Sequence, residues 1–279
     1  MKNALILEGG GMRGAFTSGV LDYFNEHNII FDSVIGVSAG ALNATRYLAN
    51  QPKLSINIML ENLKNKEYCS FESLLKTGNI FGVDLLYDKI PKVLYPLDNE
   101  YFKNSGVIFR VCMTNCKTGK AEYPIINDMF LDIDYIKASS SLPLVSKMVN
   151  INNNYYLDGG ISDSIPVKES IRLGYNKNVV ILTQPLDYVK KPTKTLSLIK
   201  SRYKQFPGLI KDIEVRHEMY NDTLKFINNN KSIFVIRPDS SLNIGRIEKN
   251  QQKLMDAYNK GYLKAKSMHK DLLEYLKRK

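Results

Sequence analysis

Cysteine is scarce in this sequence of 279 residues, and the three present, Cys69, Cys112 and Cys116, make an odd set. That argues against a disulfide frame and fits reduced thiols in a cytosolic protein. Cys112 and Cys116 are separated by three residues, but no second Cys/His pair completes a zinc site. They are expected to be structural, and no metal is expected. Long apolar runs are missing too: none approaches the roughly 18 residues expected of a membrane-spanning helix. At the N-terminus only Ala4 to Leu7 are continuously apolar before Glu8, too few for a signal peptide. The expected location is therefore cytoplasmic, with at most peripheral membrane contact. No internal repeat or low-complexity tract interrupts the chain. Histidine is as rare as cysteine, and that matters once a catalytic base is sought.

What the sequence does have is ordinary globular material, 44% hydrophobic and 24% charged, with a net charge of +11. The charge is uneven. Residues 1–100 carry 9 basic and 11 acidic side chains, residues 101–200 carry 13 and 8, and residues 201–279 carry 17 and 9. A basic surface attracts nucleic acid, anionic lipid or nothing in particular. No nucleic-acid motif accompanies it, so a nucleic-acid partner is not expected and lipid is the better functional reading.

The first fifty residues read as strand, turn, helix, strand, turn, helix. Ala4–Leu7 is a short buried strand and Ala15–Asn25 a helix with Phe16, Val20, Leu21 and Phe24 on one face. Val34–Val37 is the next strand and Ala39–Leu48 the next helix. That order predicts parallel strands joined by right-handed crossovers. Strands are predicted again at Val107–Thr114, Lys120–Tyr123, Tyr155–Leu157, Val179–Thr183 and Ser232–Ile236. Short helices are predicted at Asp132–Ala138 and Val167–Leu173. The alternation predicts one α/β domain over 1–279, with an irregular, mostly helical segment at 53–103 and a Lys-rich helical part at 246–279.

The pentapeptide Gly36-Val37-Ser38-Ala39-Gly40 sits between a strand and a helix, the context a G-x-S-x-G nucleophile turn requires. A sharp turn there strains the serine backbone and projects its hydroxyl at a helix N-terminus, where amides stabilise negative charge. The run Gly9-Gly10-Gly11-Met12-Arg13-Gly14 also lies between a strand and a helix and satisfies G-x-G-x-x-G. A dinucleotide site wants an acidic residue at the far end of the second strand; here that end is Gly36-Val37-Ser38, and Asp32 stands at the strand's beginning. An oxyanion hole fits better, with the amides of Gly10, Gly11 and Met12 turned toward the carbonyl that Ser38 attacks. Arg13 either orients the loop, contacts an anionic head group or forms a surface ion pair.

None of the three histidines follows a strand in a turn. His27 ends the first helix, His217 lies within Glu214-Val215-Arg216-His217-Glu218 and His269 within the Lys-rich terminal helix. Asp158 is the better base. It ends the strand Tyr155-Tyr156-Leu157 and precedes Gly159 and Gly160, which permit a tight turn and close approach of another backbone. Its unperturbed pKa of about 3.9 makes it a weak base unless burial raises it.

Taken together, these residues resemble the patatin-like phospholipases. Four blocks fall in the family's order: the Gly9–Gly14 loop, the Gly36–Gly40 turn, Ala138-Ser139-Ser140-Ser141-Leu142-Pro143, which is similar to an A-S-x-x-x-P segment, and Asp158-Gly159-Gly160. Leu242-Asn243-Ile244-Gly245-Arg246 resembles the bacterial branch. The resemblance implies a three-layer α/β/α sandwich with a mostly parallel central sheet and a Ser38–Asp158 dyad without histidine. It implies Gly9 to Gly14 as oxyanion hole and cleavage of acyl esters of phospholipids or related lipids without a cofactor. Residues 71–95 form a lid, a membrane-contacting cap or plain core-packing helices, and the basic 249–279 segment either binds an anionic membrane or is simply solvated. A thioesterase or small-ester esterase on the same site, and a non-catalytic lipid-binding protein, stand as alternatives.

Overall fold

A computed structural model describes residues 2–277. The chain opens with β1 (Asn3–Leu7), a 3₁₀ turn over Gly11–Arg13, α1 (Gly14–Glu26), β2 (Ser33–Val37) and α2 (Ala39–Leu48). A helical excursion follows: α3 (Leu54–Glu61), α4 (Phe71–Thr77), a π-helix over Leu85–Leu94 and α5 (Asn99–Asn104). Then come β3 (Ile108–Asn115), β4 (Ala121–Glu122), β5 (Ile125–Ile126), α6 (Ile133–Ser139), β6 (Val149–Ile151), β7 (Asn154–Asp158) and a 3₁₀ turn over Gly159–Ile161. The remainder is α7 (Val167–Arg172), β8 (Lys177–Ile181), α8 (Leu196–Arg202), α9 (Pro207–Asn229), β9 (Ile233–Ile236), α10 (Gln251–Ser267) and α11 (His269–Lys277).

The main sheet runs β6-β7-β3-β2-β1-β8-β9. β3, β2, β1, β8 and β9 are mutually parallel, while the β6–β7 hairpin joins antiparallel to β3. The central strands β1, β2 and β8 are buried on both faces, which is why their cores read as short apolar runs. Alternation along β1 divides the core. Leu5 and Leu7 pack with residues of α1, α2 and α10, whereas Ala4 and Ile6 face the other way, toward Tyr220, Leu224 and Ile227 of α9. The result is the three-layer α/β/α sandwich.

Two features escape sequence periodicity. The β6–β7 hairpin turns through Asn152 and Asn153, both with positive φ (51° and 63°), the two-residue geometry whose twist matches that of paired strands. The π-helix contains Pro91, which lacks an amide hydrogen and cannot join a regular α ladder. The chain there closes through Tyr95 N–H to the Ile90 carbonyl (2.8 Å) and Leu97 N–H to the Pro91 carbonyl (2.8 Å).

The C-terminal helices are tied to the N-terminal ones. A Cβ on Gly19 of α1 would lie 2.1 Å from the Tyr258 carbonyl oxygen, and one on Gly261 of α10 would lie 2.0 Å from that of Phe16. The two backbones touch where side chains are missing. Beside this contact Asp22, 5% exposed, accepts hydrogen bonds from the Lys53 amide and the Tyr258 hydroxyl, both at 2.9 Å. Burial, outweighing those bonds, pushes its carboxyl up to about 6. A raised acid pKa means that the folded state holds its proton to higher pH than the unfolded chain does, so this group lowers stability as pH rises from about 4 to 6. Asp22→Asn keeps an acceptor for both donors and cannot ionise. Its stability relative to wild type, from urea unfolding, is expected to improve by about 2 kcal/mol between pH 4 and pH 7; parallel pH profiles would contradict this.

Candidate active site

Ser38 sits between the end of β2 and the start of α2 with φ 54° and ψ −123°, a left-handed conformation that costs an ordinary residue about 1–3 kcal/mol. Close packing enforces it. A Cβ on Gly36 would lie 2.6 Å from Ala41 Cα, so the helix can fold back over the strand only where that side chain is absent. The Ser38 amide donates to Ser139 Oγ at 3.0 Å.

Asp158 reaches the same level by strand register. Val37 pairs with Cys112, and Met113 pairs with Asp158, so the serine and the aspartate flank β3 at one height. Two strand spacings separate the backbones, about 9.6 Å, and among the described residues no hydrogen bond joins the two side chains. Asp158 is 2% exposed. Its Oδ1 accepts from the Gly160 amide at 2.7 Å, while Oδ2 is buried with no hydrogen-bond partner. Its main chain is held on both sides, by its N–H to the Ser141 carbonyl (2.7 Å) and by Thr114 Oγ1 to its own carbonyl (2.8 Å). Residues 138–143 are therefore a clamp: Ser139 fixes the Ser38 amide and Ser141 fixes the Asp158 amide.

The glycine loop lies against the serine. A Cβ on Gly9 would come within 3.0 Å of Ser38 Cβ. Within the loop, the Met12 amide donates to the Arg246 carbonyl (3.0 Å), the Arg13 amide to the Gly10 carbonyl (3.4 Å) and the Gly14 amide to Gly11 and Met12. Among the described residues no acceptor is found for the amides of Gly9, Gly10 and Gly11. The loop's available donors thus narrow to these three, since the amides of Met12, Arg13 and Gly14 are engaged locally. The base of the loop is held by Glu8, a residue that the sequence motifs did not single out. Its buried carboxylate accepts from the Thr183 amide (2.6 Å), Thr183 Oγ1 (3.0 Å) and the Tyr220 hydroxyl (2.6 Å). It thereby joins the ends of β1 and β8 to α9.

Ser38, Asp158 and the loop open into one solvent-open cleft with a cavity volume of about 200 Å³. Met59, Tyr68, Phe81, Leu86 and Leu142 supply apolar wall, so most of it comes from the 53–103 excursion. Arg13, Lys190, Arg216 and Arg246 supply positive charge. None of the three histidines lines it. His27 and His269 meet each other at 5.3 Å beside Tyr23, and His217 borders a neighbouring cleft. The three cysteines are free and buried. Among the described residues, no cluster of His, Cys, Asp or Glu suited to a metal ion is found, and no helix is long and apolar enough to cross a membrane.

A sequence model of the patatin-like phospholipase family matches residues 5–171, and one for a domain of unknown function, DUF6363, matches residues 206–277. The chain is 35% identical over 188 residues to the uncharacterized protein YjjU of Escherichia coli (strain K12), covering 65% of this chain and 52% of YjjU. It is 25% identical over 281 aligned positions to the probable lipid hydrolase 463L of Invertebrate iridescent virus 6, covering 95% and 88% of the two chains. Among solved structures, VipD from Legionella pneumophila matches with a TM-score of 0.50 at 14% identity, covering 96% of this chain and 66% of VipD, a likeness of fold. The chain thus spans about half the length of YjjU and about two thirds of VipD.

The clamp makes a specific demand. Ser139, itself 0% exposed, is the acceptor of the part-buried Ser38 amide; Ser139→Ala removes that acceptor, and chemical denaturation is expected to show a loss of about 1–3 kcal/mol. Unchanged stability would mean that the Ser139 hydroxyl does not hold the turn.

Proposed function

Because the chain belongs to the patatin-like phospholipase family, we propose that it is a lipid acyl-hydrolase. Ser38 is the nucleophile, Asp158 the proton acceptor, and the amides of Gly10 and Gly11 the oxyanion donors. The observation that carries this reading is the asymmetry of the Asp158 carboxylate. One oxygen is satisfied by Gly160 and the other is buried without a donor, although both the carboxylate and the strained serine face one cleft. A buried acceptor left open calls for an explanation, and the one offered here is that it is kept for the serine proton.

In the proposed reaction Asp158 Oδ2 takes the Ser38 proton as Oγ attacks the ester carbonyl. Negative charge develops on the carbonyl oxygen and is met by the two loop amides, each contributing about 3 kcal/mol to the transition state. Collapse of the tetrahedral intermediate expels the alcohol, which takes the proton back from Asp158, and leaves the acyl group on Ser38. Water, deprotonated by the same carboxylate, attacks the acyl-enzyme and releases the fatty acid. The apolar wall of Met59, Tyr68, Phe81 and Leu86 receives the acyl chain, so the 53–103 excursion serves as the cap of a single 1–279 unit rather than as a separate domain. Phe71 and Leu75 on the outside of that cap are 68% and 73% exposed, which suits peripheral contact with a lipid surface.

Two substitutions test the dyad. Ser38→Ala is expected to reduce hydrolysis of a phospholipid and of a p-nitrophenyl ester to background. Asp158→Asn is expected to lower kcat by about 10²–10⁴-fold, with unchanged circular dichroism in both. Retention of wild-type turnover by either protein would refute the assignment.

A further inference from the structure

Besides Asp158 Oδ2, two hydroxyls in the Ser38 cleft are not spent within the protein. Tyr87 and Ser140 line that cleft together with Ser38 and Asp158. Ser140 Oγ is buried and has no hydrogen-bond partner, as is true of Asp158 Oδ2. Among the described residues no hydrogen bond of ordinary geometry is found for the Tyr87 hydroxyl either, although the residue is only 8% exposed. Buried tyrosines elsewhere do find acceptors: Tyr47 donates to the Ile29 carbonyl at 2.6 Å and Tyr258 to Asp22 at 2.9 Å. The three open groups act on one another. Burial pushes the Tyr87 phenol up to about 12, with the Ser140 hydroxyl lowering it and the Asp158 charge raising it. Tyr87 is therefore a protonated donor throughout the neutral range.

Both hydroxyls are held by the chain around them. Ser140 ends α6, with its N–H on the Lys137 carbonyl (3.1 Å). It stands between Ser139, which takes the Ser38 amide, and Ser141, whose carbonyl takes the Asp158 amide. Tyr87 comes from the π-helix, a geometry that is frequent at functional sites. Its neighbours Leu85 and Ile90 are buried. The start of that helix is anchored through the Leu86 N–H to the Gly82 carbonyl (2.9 Å) and the Gly82 N–H to the Tyr68 carbonyl (3.2 Å). A Cβ on Gly82 would collide with the Glu67 carbonyl oxygen, so the backbone is closely packed there. The Ile80 N–H donates to the Val145 carbonyl (2.8 Å), which ties this part of the cap to the segment that follows Ser140.

A water molecule bound in a protein takes two to four polar partners, and a carboxylate oxygen, a phenol and a serine hydroxyl meet that need. We propose that Tyr87 and Ser140 hold the water that hydrolyses the acyl-enzyme, with Asp158 Oδ2 as its proton acceptor. This rests on the acyl-hydrolase reading above and adds two residues to its second half-reaction. The Tyr87 hydroxyl donates to the water oxygen. Asp158 Oδ2 accepts one water hydrogen and Ser140 Oγ the other. The remaining lone pair of the water oxygen is then free to attack the acyl carbonyl carbon. As that C–O bond forms, the proton passes to Asp158. When the bond between the acyl carbon and Ser38 Oγ breaks, Asp158 returns the proton to Ser38 Oγ and the carboxylic acid leaves. Neither hydroxyl is needed in the first half-reaction, where Asp158 takes its proton from Ser38 itself.

The test times the two half-reactions separately with p-nitrophenyl butyrate. With enzyme in excess, release of p-nitrophenolate gives the acylation rate. Peptide mass spectrometry of acid-quenched samples then follows loss of the butyryl group from Ser38 and gives the deacylation rate. Tyr87→Phe and Ser140→Ala are each expected to slow deacylation about tenfold, the scale of one lost hydrogen bond, while acylation changes by less than about threefold. Butyryl-Ser38 should accordingly make up a larger share of each variant than of wild type at steady state. Each substitution removes a single oxygen, and melting curves check that both proteins are folded. Equal slowing of the two half-reactions, or slowing of acylation alone, would overturn the water site in favour of support for the dyad or the leaving group. Unchanged deacylation in either folded variant would overturn it as well. In all these cases butyryl-Ser38 forms and the hydrolase reading stands. If wild type forms no butyryl-Ser38, that reading falls and the water site falls with it.

Discussion

Burying a carboxylate costs several kcal/mol unless its oxygens find donors, and Asp158 is buried with only one of its two oxygens satisfied. The rest of the cleft is arranged around that imbalance. Thr114 and Ser141 fix the Asp158 main chain, Gly160 fills Oδ1, and β3 sets Asp158 and Ser38 at one height on its two sides. The serine pays with a left-handed backbone, held by Ser139 from the same short segment that holds the aspartate. Strain at one residue and an unsatisfied atom at another are both tolerated because the central strands β1 and β2 beneath them are buried on both faces and paired on both sides.

The C-terminal half completes the cleft rather than merely covering it. Glu8 reaches from the end of β1 to Thr183 and Tyr220, and Arg246 takes an amide from the glycine loop. Both contacts couple residues matched by the patatin-like model to residues beyond it. One consequence is for hydrogen bonding, since Met12 is withdrawn from the donor set and the loop's open amides are those of Gly9, Gly10 and Gly11. The other is electrostatic, since positive charge is brought close to a site whose remaining carboxylate is a prospective base.

Much of this was legible in the sequence. The unbroken apolar runs of β1, β2 and β8 announce a parallel sheet buried on both faces, and Gly36 to Gly40 announces a turn that only those residues can make. The glycine loop, the serine and the Asp158 turn were likewise visible, because each needs particular residue types at fixed spacing. What stayed hidden depends on tertiary pairing. Asn152-Asn153 is a hairpin turn only because short strands happen to flank it. Glu8 looks like the end of an apolar strand until Thr183 and Tyr220, some 175 and 212 positions away, arrive at it. The clamp formed by Ser139 and Ser141 is two hydroxyl-bearing residues among three in a row, and nothing in their order says which partner each will take. Lys190, Arg216 and Arg246 lie in three separate segments and carry no spacing signal at all.

The central claim is that Ser38 is made nucleophilic by Asp158, and a fluorophosphonate probe reports this without any assumption about the lipid. Peptide mass spectrometry of the labelled protein is predicted to find the adduct on Ser38, forming at least about 10²-fold more slowly in folded Asp158→Asn. An unlabelled Ser38 in the wild-type protein, or equal labelling rates in the two proteins, would contradict it.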